Sequence, residues 1–375
     1  MGLLVKARSA TIADFTLQFK GGIRKEHPME LLESVLPAEW FPQSGVMITW
    51  PHAATDWAPI MKDVTDFYVK LSFHISNSEG LLIVTPEAQA VHHLLIQQLP
   101  AKNLNNIRFC SLPTNDTWTR DHGPLFVREE GRWKVKDFGF NGWGNKFPSA
   151  LDNAIPLGAY RQGWLKGDYV DCLDFTLEGG SLESDGRGTL MLTSHCLLHP
   201  NRNPSLNQEN IEFKLQKELH AHRLLWLHHG HLAGDDTDGH IDTLARFCPD
   251  DTIVYVKCNQ KHDEHYAELS LMEQELMDFR TAGDRPYRLL PLPLPDPIFC
   301  DGERLPATYA NFLVINNEVL MPTYGQPDND EQAHAILQQA FPTHAVTGID
   351  SRVLIKQHGS LHCSTMQIPK GILQI

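Results

Sequence analysis

Apolar and polar residues along this chain fall into short blocks whose period keeps changing. Residues 46–50 form a brief apolar run that reads as a buried strand. Ile60, Val64, Phe67 and Leu71 then follow at the spacing of one helix face, with Thr55 as a candidate cap. Residues 80–85 read as a second strand, and Pro86 suits the first turn of a helix running to Leu99. A capping pattern over residues 205–208 predicts a helix with Ile211, Leu215 and Leu219 on one side. Further helices are expected over residues 264–279 and 330–341.

Between the helices, pairs of β-prone runs flank turn-forming residues. The pairs are 125–128 with 133–138, 181–184 with 189–193, 243–247 with 252–256, and 312–315 with 319–321. A short polar lead-in precedes each: Arg120-Asp-His-Gly-Pro124, Leu177-Glu-Gly-Gly180, Asp238-Gly-His-Ile-Asp242 and, more weakly, Ala307-Thr-Tyr-Ala-Asn311. A last lead-in, Gly359-Ser-Leu-His-Cys-Ser364, stands near the C-terminus. The lead-ins recur roughly every 60 residues, which predicts an α/β fold built from a repeated hairpin-plus-helix unit. Closed radial repetition brings all the lead-ins to one axis, so groups far apart in sequence converge there.

Composition narrows the class. Of 375 residues, 42% are hydrophobic and 21% charged, which suits a chain with a substantial core. Lys and Arg number 32 against 46 Asp and Glu, a net charge of −14. That balance argues against a nucleic-acid or anionic-membrane binder and suits a cationic small partner. No stretch reaches the roughly 18 apolar residues of a membrane span. The richest, 289–299, is broken by four prolines, Pro291, Pro293, Pro295 and Pro297. Residues 1–35 are expected to be a loosely attached extension, with Met29 as an alternative start, and 36–375 a single folded domain. No apolar block of secretory type follows the basic residues near the N-terminus. The seven cysteines are scattered and never form Cys-x-x-Cys, as expected of reduced thiols in a cytoplasmic protein.

Candidate chemistry concentrates in the lead-ins. If His240 begins a strand, alternation puts Asp242 on the same face, and the two form an acid/base unit. Asp235, Asp236 and Asp238 crowd the same loop, with His229 and His231 before it. Yet neither a calcium-loop nor a zinc-helix spacing is present, so no metal is expected. Cys363 stands apart from the other cysteines because its setting is polar and carries histidine, which favours a reactive thiolate. Trp118 with Asp116 and Asp121 could hold a flat cation between a ring face and carboxylates.

These stretches together resemble the agmatine deiminase family, also called the bacterial-type peptidyl-arginine deiminase family. The matching segments run from Pro37-Ala-Glu-Trp40 to Gln367-Ile-Pro369. They include Thr49-Trp-Pro-His52, Asn115-Asp-Thr-Trp-Thr-Arg-Asp-His-Gly-Pro124, Leu177-Glu-Gly-Gly180, Asn201-Arg-Asn-Pro204, Gly234-Asp-Asp-Thr-Asp-Gly-His-Ile-Asp242 and Leu361-His-Cys363. The resemblance implies the pentein fold, an α/β propeller of five ββαβ units around a channel. It implies hydrolysis of a guanidinium to a ureido group and ammonia, without metal or organic cofactor, and suggests a homodimer. Residue by residue, it implies Cys363 as nucleophile and His240 as acid/base. Asp242 and Asp121 become guanidinium ligands, Glu178 contacts the guanidinium or steadies His240, and Trp118 lines the pocket. One departure is plain: many members carry Gly-Gly-Gly-Asn before the cysteine motif, where this chain reads Gln357-His-Gly-Ser360.

The expected substrate is agmatine, whose far ammonium could meet Asp56, Asp116, Asp235 or Asp236. Free or peptidyl arginine is the alternative with the same chemistry, and Arg202, Arg246 or Arg352 could then serve a substrate carboxylate. A metal-dependent hydrolase using the 229–242 cluster is a further reading. So is a binding protein that has lost catalysis, though it predicts erosion of Asp121, Glu178, His240, Asp242 and Cys363, and all five are present.

Overall fold

The computed structural model describes residues 32–375, and within them one connectivity occurs five times. A hairpin of two antiparallel strands is followed by a helix, and a third strand then returns parallel to the second. Leu125–Glu129, Arg132–Gly139 and Asp168–Thr176 form the first such sheet around the helix Ile155–Arg161. Glu183–Ser184, Thr189–Thr193 and Arg223–Leu227 repeat it around Gln208–Leu219. Ala245–Cys248, Thr252–Lys257 and Arg288–Pro293 enclose Tyr266–Asp278. Leu313–Ile315, Glu318–Thr323 and Ala345–Asp350 enclose Pro327–Ala340.

The fifth sheet joins the two ends of the described chain. Thr365–Pro369 pairs antiparallel with Gln43–Thr49, which runs parallel to Gly80–Thr85 across the helix Met61–Ser78. Ile107–Ser111 adds one more parallel strand at its edge. The five-unit α/β propeller expected from the resemblance is thus borne out, with the circle closed by pairing the first strand to the last.

Two helices have a predicted face. Val64, Phe67 and Leu71 are buried on the first, while Ile60 lies before it and is only partly buried; Ile211, Leu215 and Leu219 are buried on the second. At about 2 kcal/mol per buried aliphatic side chain, these faces dock the helices outside the sheets.

Helix starts differ from expectation for local reasons. Thr55 caps no helix; its hydroxyl donates to the His52 carbonyl at 2.7 Å. Pro59 instead sets a 3-10 turn, Ala58–Ile60, and the helix follows from Met61. Pro86 lies outside its helix, which starts at Ala88, because Thr85 Oγ1 accepts the Glu87 amide and holds a turn there. The capping box lies at Asn207 and Asn210 rather than at 205–208. The extension expected over residues 1–35, and the alternative start at Met29, fall outside the described residues up to 31. Val35 is fully buried and pairs with Arg128.

Candidate active site

Four of the five lead-ins share a local shape that sequence reading missed. Each makes a single tight helical turn just before its strand: Thr119–His122, Gly179–Ser181, Ile241–Thr243 and His362–Ser364. Such a turn tips polar side chains off the strand end and toward the axis. The expectation that His240 and Asp242 share a strand face therefore fails, because the strand starts only at Ala245. Thr243 Oγ1 donates back to the His240 carbonyl at 2.9 Å and closes the turn that separates them.

The predicted residues nevertheless converge. His240 Nε2 lies 2.9 Å from Glu178 Oε2, and His240 Nδ1 lies 3.5 Å from Asp121 Oδ1. The Cys363 thiol lies 3.8 Å from Asp242 Oδ2 and 3.4 Å from Asn311 Oδ1. His240, Asp242, Glu178, Asp121 and Cys363 are all at most 5% exposed. Trp118 and Cys363 both line one open cavity, whose empty space, open solvent included, is about 590 Å³.

Charge in this site is ordered by burial and partners. Burial works against the His240 cation, but Asp121 and Glu178 outweigh it and hold its pKa well above the ordinary value. Burial pushes the Cys363 thiol well up, and Asp242 and Asp121 push it further. Burial raises Asp121 to about 6, with Asp242 and Glu178 adding repulsion that His240 partly offsets. Asp242 and Glu178 are lowered despite burial, by His362 and His240 in the first case and by His240 and Arg202 in the second. The site thus holds a protonated thiol beside buried carboxylates.

Several supporting residues carried no expected role. Trp143 Nε1 donates to Asp121 Oδ2 at 2.9 Å, and the Gly180 amide donates to Asp121 Oδ1 at 3.1 Å. Asn311 receives the amides of His362 and Cys363 on its Oδ1 at 2.9 and 3.3 Å. His362 stands between Asp242 Oδ2, 2.8 Å from Nδ1, and Glu39 Oε2, 2.6 Å from Nε2. Asn311 belongs to the fourth lead-in, and its place in the repeat was the signal that could have marked it.

Of the predicted residues, Trp118, Asp121 and Cys363 line the cavity, whereas Glu178, His240 and Asp242 stand behind that wall. Glu178 Oε2 accepts from Arg202 Nε at 2.8 Å and also lies against His240. None of the three arginines considered for a substrate carboxylate lines the cavity. Arg246 is buried between Glu183, Glu39 and the Phe312 carbonyl. Arg202 is held by Glu178 and Asp238, and Arg352 pairs with Asp350.

The cavity wall carries Asp56, Asp116, Asp121 and Asp236, and no lysine or arginine. Asp235 is absent from it: its carboxylate takes the amides of Thr237 and Gly239 and shapes the loop. Burial, with Asp56 nearby, raises Asp116 to about 6.

The 229–242 cluster does not converge as a metal site. His229 pairs with Glu275, and Asp238 with Lys146 and Arg202. Among the described residues, one trio with metal-type spacing occurs, Glu178, Cys196 and His240, its ligand atoms within 4.8 Å of one another. Arg202 already occupies the same carboxylate oxygen of Glu178, so a cation there meets a fixed positive charge. No described helix is long and apolar enough to cross a membrane.

A closed ring of five ββαβ units that brings a thiol, a histidine and carboxylates together defines an enzyme of the pentein class. The chain belongs to the Porphyromonas-type peptidyl-arginine deiminase family, whose pattern matches residues 35–369. It is 46% identical to a provisionally named arginine deiminase of Porphyromonas gingivalis, with a TM-score of 0.86 over 91% of this chain and all of the other. A C. jejuni agmatine deiminase, solved as a cysteine-to-serine variant with substrate bound, is 38% identical, with a TM-score of 0.83 over 91% of this chain and 97% of the other. The agmatine deiminase of Pseudomonas putida is 32% identical over 360 residues, 90% of this chain and 96% of its own.

Proposed function

We propose that this chain hydrolyses agmatine to N-carbamoylputrescine and ammonia through a covalent intermediate on Cys363. One observation carries the reading: the cavity above Cys363 is walled by four aspartates with no fixed cation. A substrate charged positively at both ends fits that wall, whereas the carboxylate of free arginine finds no lysine or arginine in it.

The chemistry follows from the charges. A guanidinium, with pKa above about 12, enters protonated. Asp121 and Asp242 grip its edges, each contact giving about 4 kcal/mol of gross Coulomb energy at 4 Å and an effective dielectric near 20. Asp242 has an oxygen, Oδ1, that is buried and without a hydrogen-bond partner in the structure. The bound cation neutralises the two carboxylates, removes their share of the Cys363 pKa rise and supplies a positive charge beside the sulfur, and the thiol proton leaves to solvent.

The thiolate then attacks the guanidinium carbon and the S–C bond forms. His240 gives its proton to one amino group, the C–N bond breaks and ammonia departs. Neutral His240 next takes a proton from water as that water attacks the same carbon. The C–S bond breaks, returning the thiolate and the ureido product. Asp56, Asp116 and Asp236 at the outer wall receive the distal ammonium. The seven free thiols, six of them buried, fit a reducing cytoplasm.

The test is a ureido-product assay on agmatine, L-arginine and an internal-arginine peptide side by side, with Cys363→Ala as control. Cys363-dependent turnover of agmatine above the other two is expected. Preference for the peptide or for arginine overturns the substrate; turnover that survives Cys363→Ala overturns the mechanism.

A further inference from the structure

The cavity is bordered by a collar of side-chain bonds between loops. The Gln357 side-chain amide donates to the Asp56 carbonyl at 3.0 Å. Nδ1 of the next residue, His358, lies 2.8 Å from the Gly234 carbonyl. Lys146 Nζ donates to the Asp236 carbonyl at 2.6 Å. One short strap, Gln357–Gly359, is therefore stitched at one end to the loop of Asp56 and at the other to the loop before Asp236. These two loops carry acids of the outer wall.

The strap is built at a conformational cost. His358 holds φ 65° and ψ 0°, a left-handed backbone that glycine adopts freely and histidine does not. Its neighbour Gly359 is pressed onto the Trp118 ring: a Cβ there would lie 2.3 Å from Trp118 Cζ3. All three strap residues line the cavity together with Cys363.

We propose that the Gln357–His358 strap is the size-selecting element of this enzyme, admitting a small unbranched guanidinium and excluding arginine within a polypeptide. This rests on the proposed role of Cys363 and deepens the proposed substrate. A side chain reaching Cys363 from a polypeptide brings its backbone to the rim, where two chain directions must leave at once. The strap and its stitches bridge the loop of Asp56 and the loop before Asp236, across one of those directions. A linear diamine derivative needs only one path.

The experiment reads Cys363 labelling directly, by mass spectrometry, so it does not depend on turnover. One probe is chloroacetamidine, a small cationic alkylator that forms an S–C bond with loss of chloride. The other carries the same warhead on the side chain of an internal residue of a blocked peptide. Each rate is normalised to that with a free thiol. In the wild type, the small probe is expected to label Cys363 about a hundredfold faster than the peptide probe. In Gln357→Gly/His358→Gly that ratio is expected to fall by about tenfold or more.

Comparable rates for the two probes on the wild type overturn the proposal without any variant. A melting curve establishes that the double variant is folded, and a folded variant with the wild-type ratio also overturns it. Should the double variant not fold, His358→Gly alone removes one stitch and the left-handed constraint, and carries the same expected direction. Size-selective labelling with no ureido product from any guanidine would refute the proposed function and support the strap.

Discussion

Nε2 of His240 lies 2.9 Å from Oε2 of Glu178, and neither side chain is more than 1% exposed. With Asp121 and Cys196, that buried partner holds the His240 pKa above its ordinary value and so helps decide when His240 can act as an acid. Removing the Glu178 charge takes away support for the imidazolium, so its pKa must fall. Glu178→Gln is expected to move the alkaline limb of kcat/KM down by about one pH unit or more. An unmoved limb in a folded variant would show that another group sets it.

Gly180 packs directly between two site residues. An added Cβ there would lie 2.5 Å from His240 Nδ1 and 2.7 Å from Asp121 Oδ1. Gly180→Ala must push those groups apart, and misplacement of this size costs about 10²-fold in rate. Activity is expected to collapse with only a modest shift of the melting temperature. Near-normal kcat/KM would mean that this spacing does not matter.

Trp143 anchors Asp121 through its indole N–H, while its ring packs edge-on against Phe140 and Phe147. Trp143→Phe keeps an aromatic ring and deletes the donor, costing about 1–2 kcal/mol, or roughly tenfold in kcat/KM. Losing a donor to the carboxylate raises the Asp121 pKa beyond about 6, so the acid limb should move to higher pH. A pH profile checks both the size and the direction.

Glu79 offers a test of stability remote from the chemistry. Its Oε2 accepts the Asn316 amide at 2.8 Å while Oε1 is buried without a hydrogen-bond partner. Burial raises its pKa from 4.5 to about 7, against a lowering by Asn316. A carboxyl raised on folding stabilises fully below its unfolded pKa, and that stability is lost as pH rises through the folded value. Glu79→Gln keeps an acceptor for Asn316 without a charge. It should add about 3 kcal/mol in urea unfolding near pH 8 and about nothing near pH 4.5.

The repeat was legible because each polar lead-in interrupts an otherwise apolar pattern just before a hairpin. That made Asp121, Glu178, His240, Asp242 and Cys363 visible as a set. What sequence could not supply were partners set by ring closure. Glu39 meets His362 across 323 residues, and Arg202 meets Glu178 from a connecting loop. Trp143 looked like any aromatic residue until the fold aimed its N–H at Asp121. The strand assumed for His240 and Asp242 failed because a Thr243 hydroxyl bond can favour a tight turn over an extended start. Helix starts shifted for the same reason, since side-chain and proline turns decide them locally.

The central claim is that Cys363 becomes covalently attached to the substrate carbon. Rapid acid quench of enzyme with agmatine, followed by peptide mass spectrometry, tests it most directly. A transient adduct on the Cys363 peptide, with the mass of agmatine less ammonia and absent from Cys363→Ala, is the expected result. Steady ureido production with no adduct on Cys363 under conditions that slow the second step, such as low pH, would contradict it.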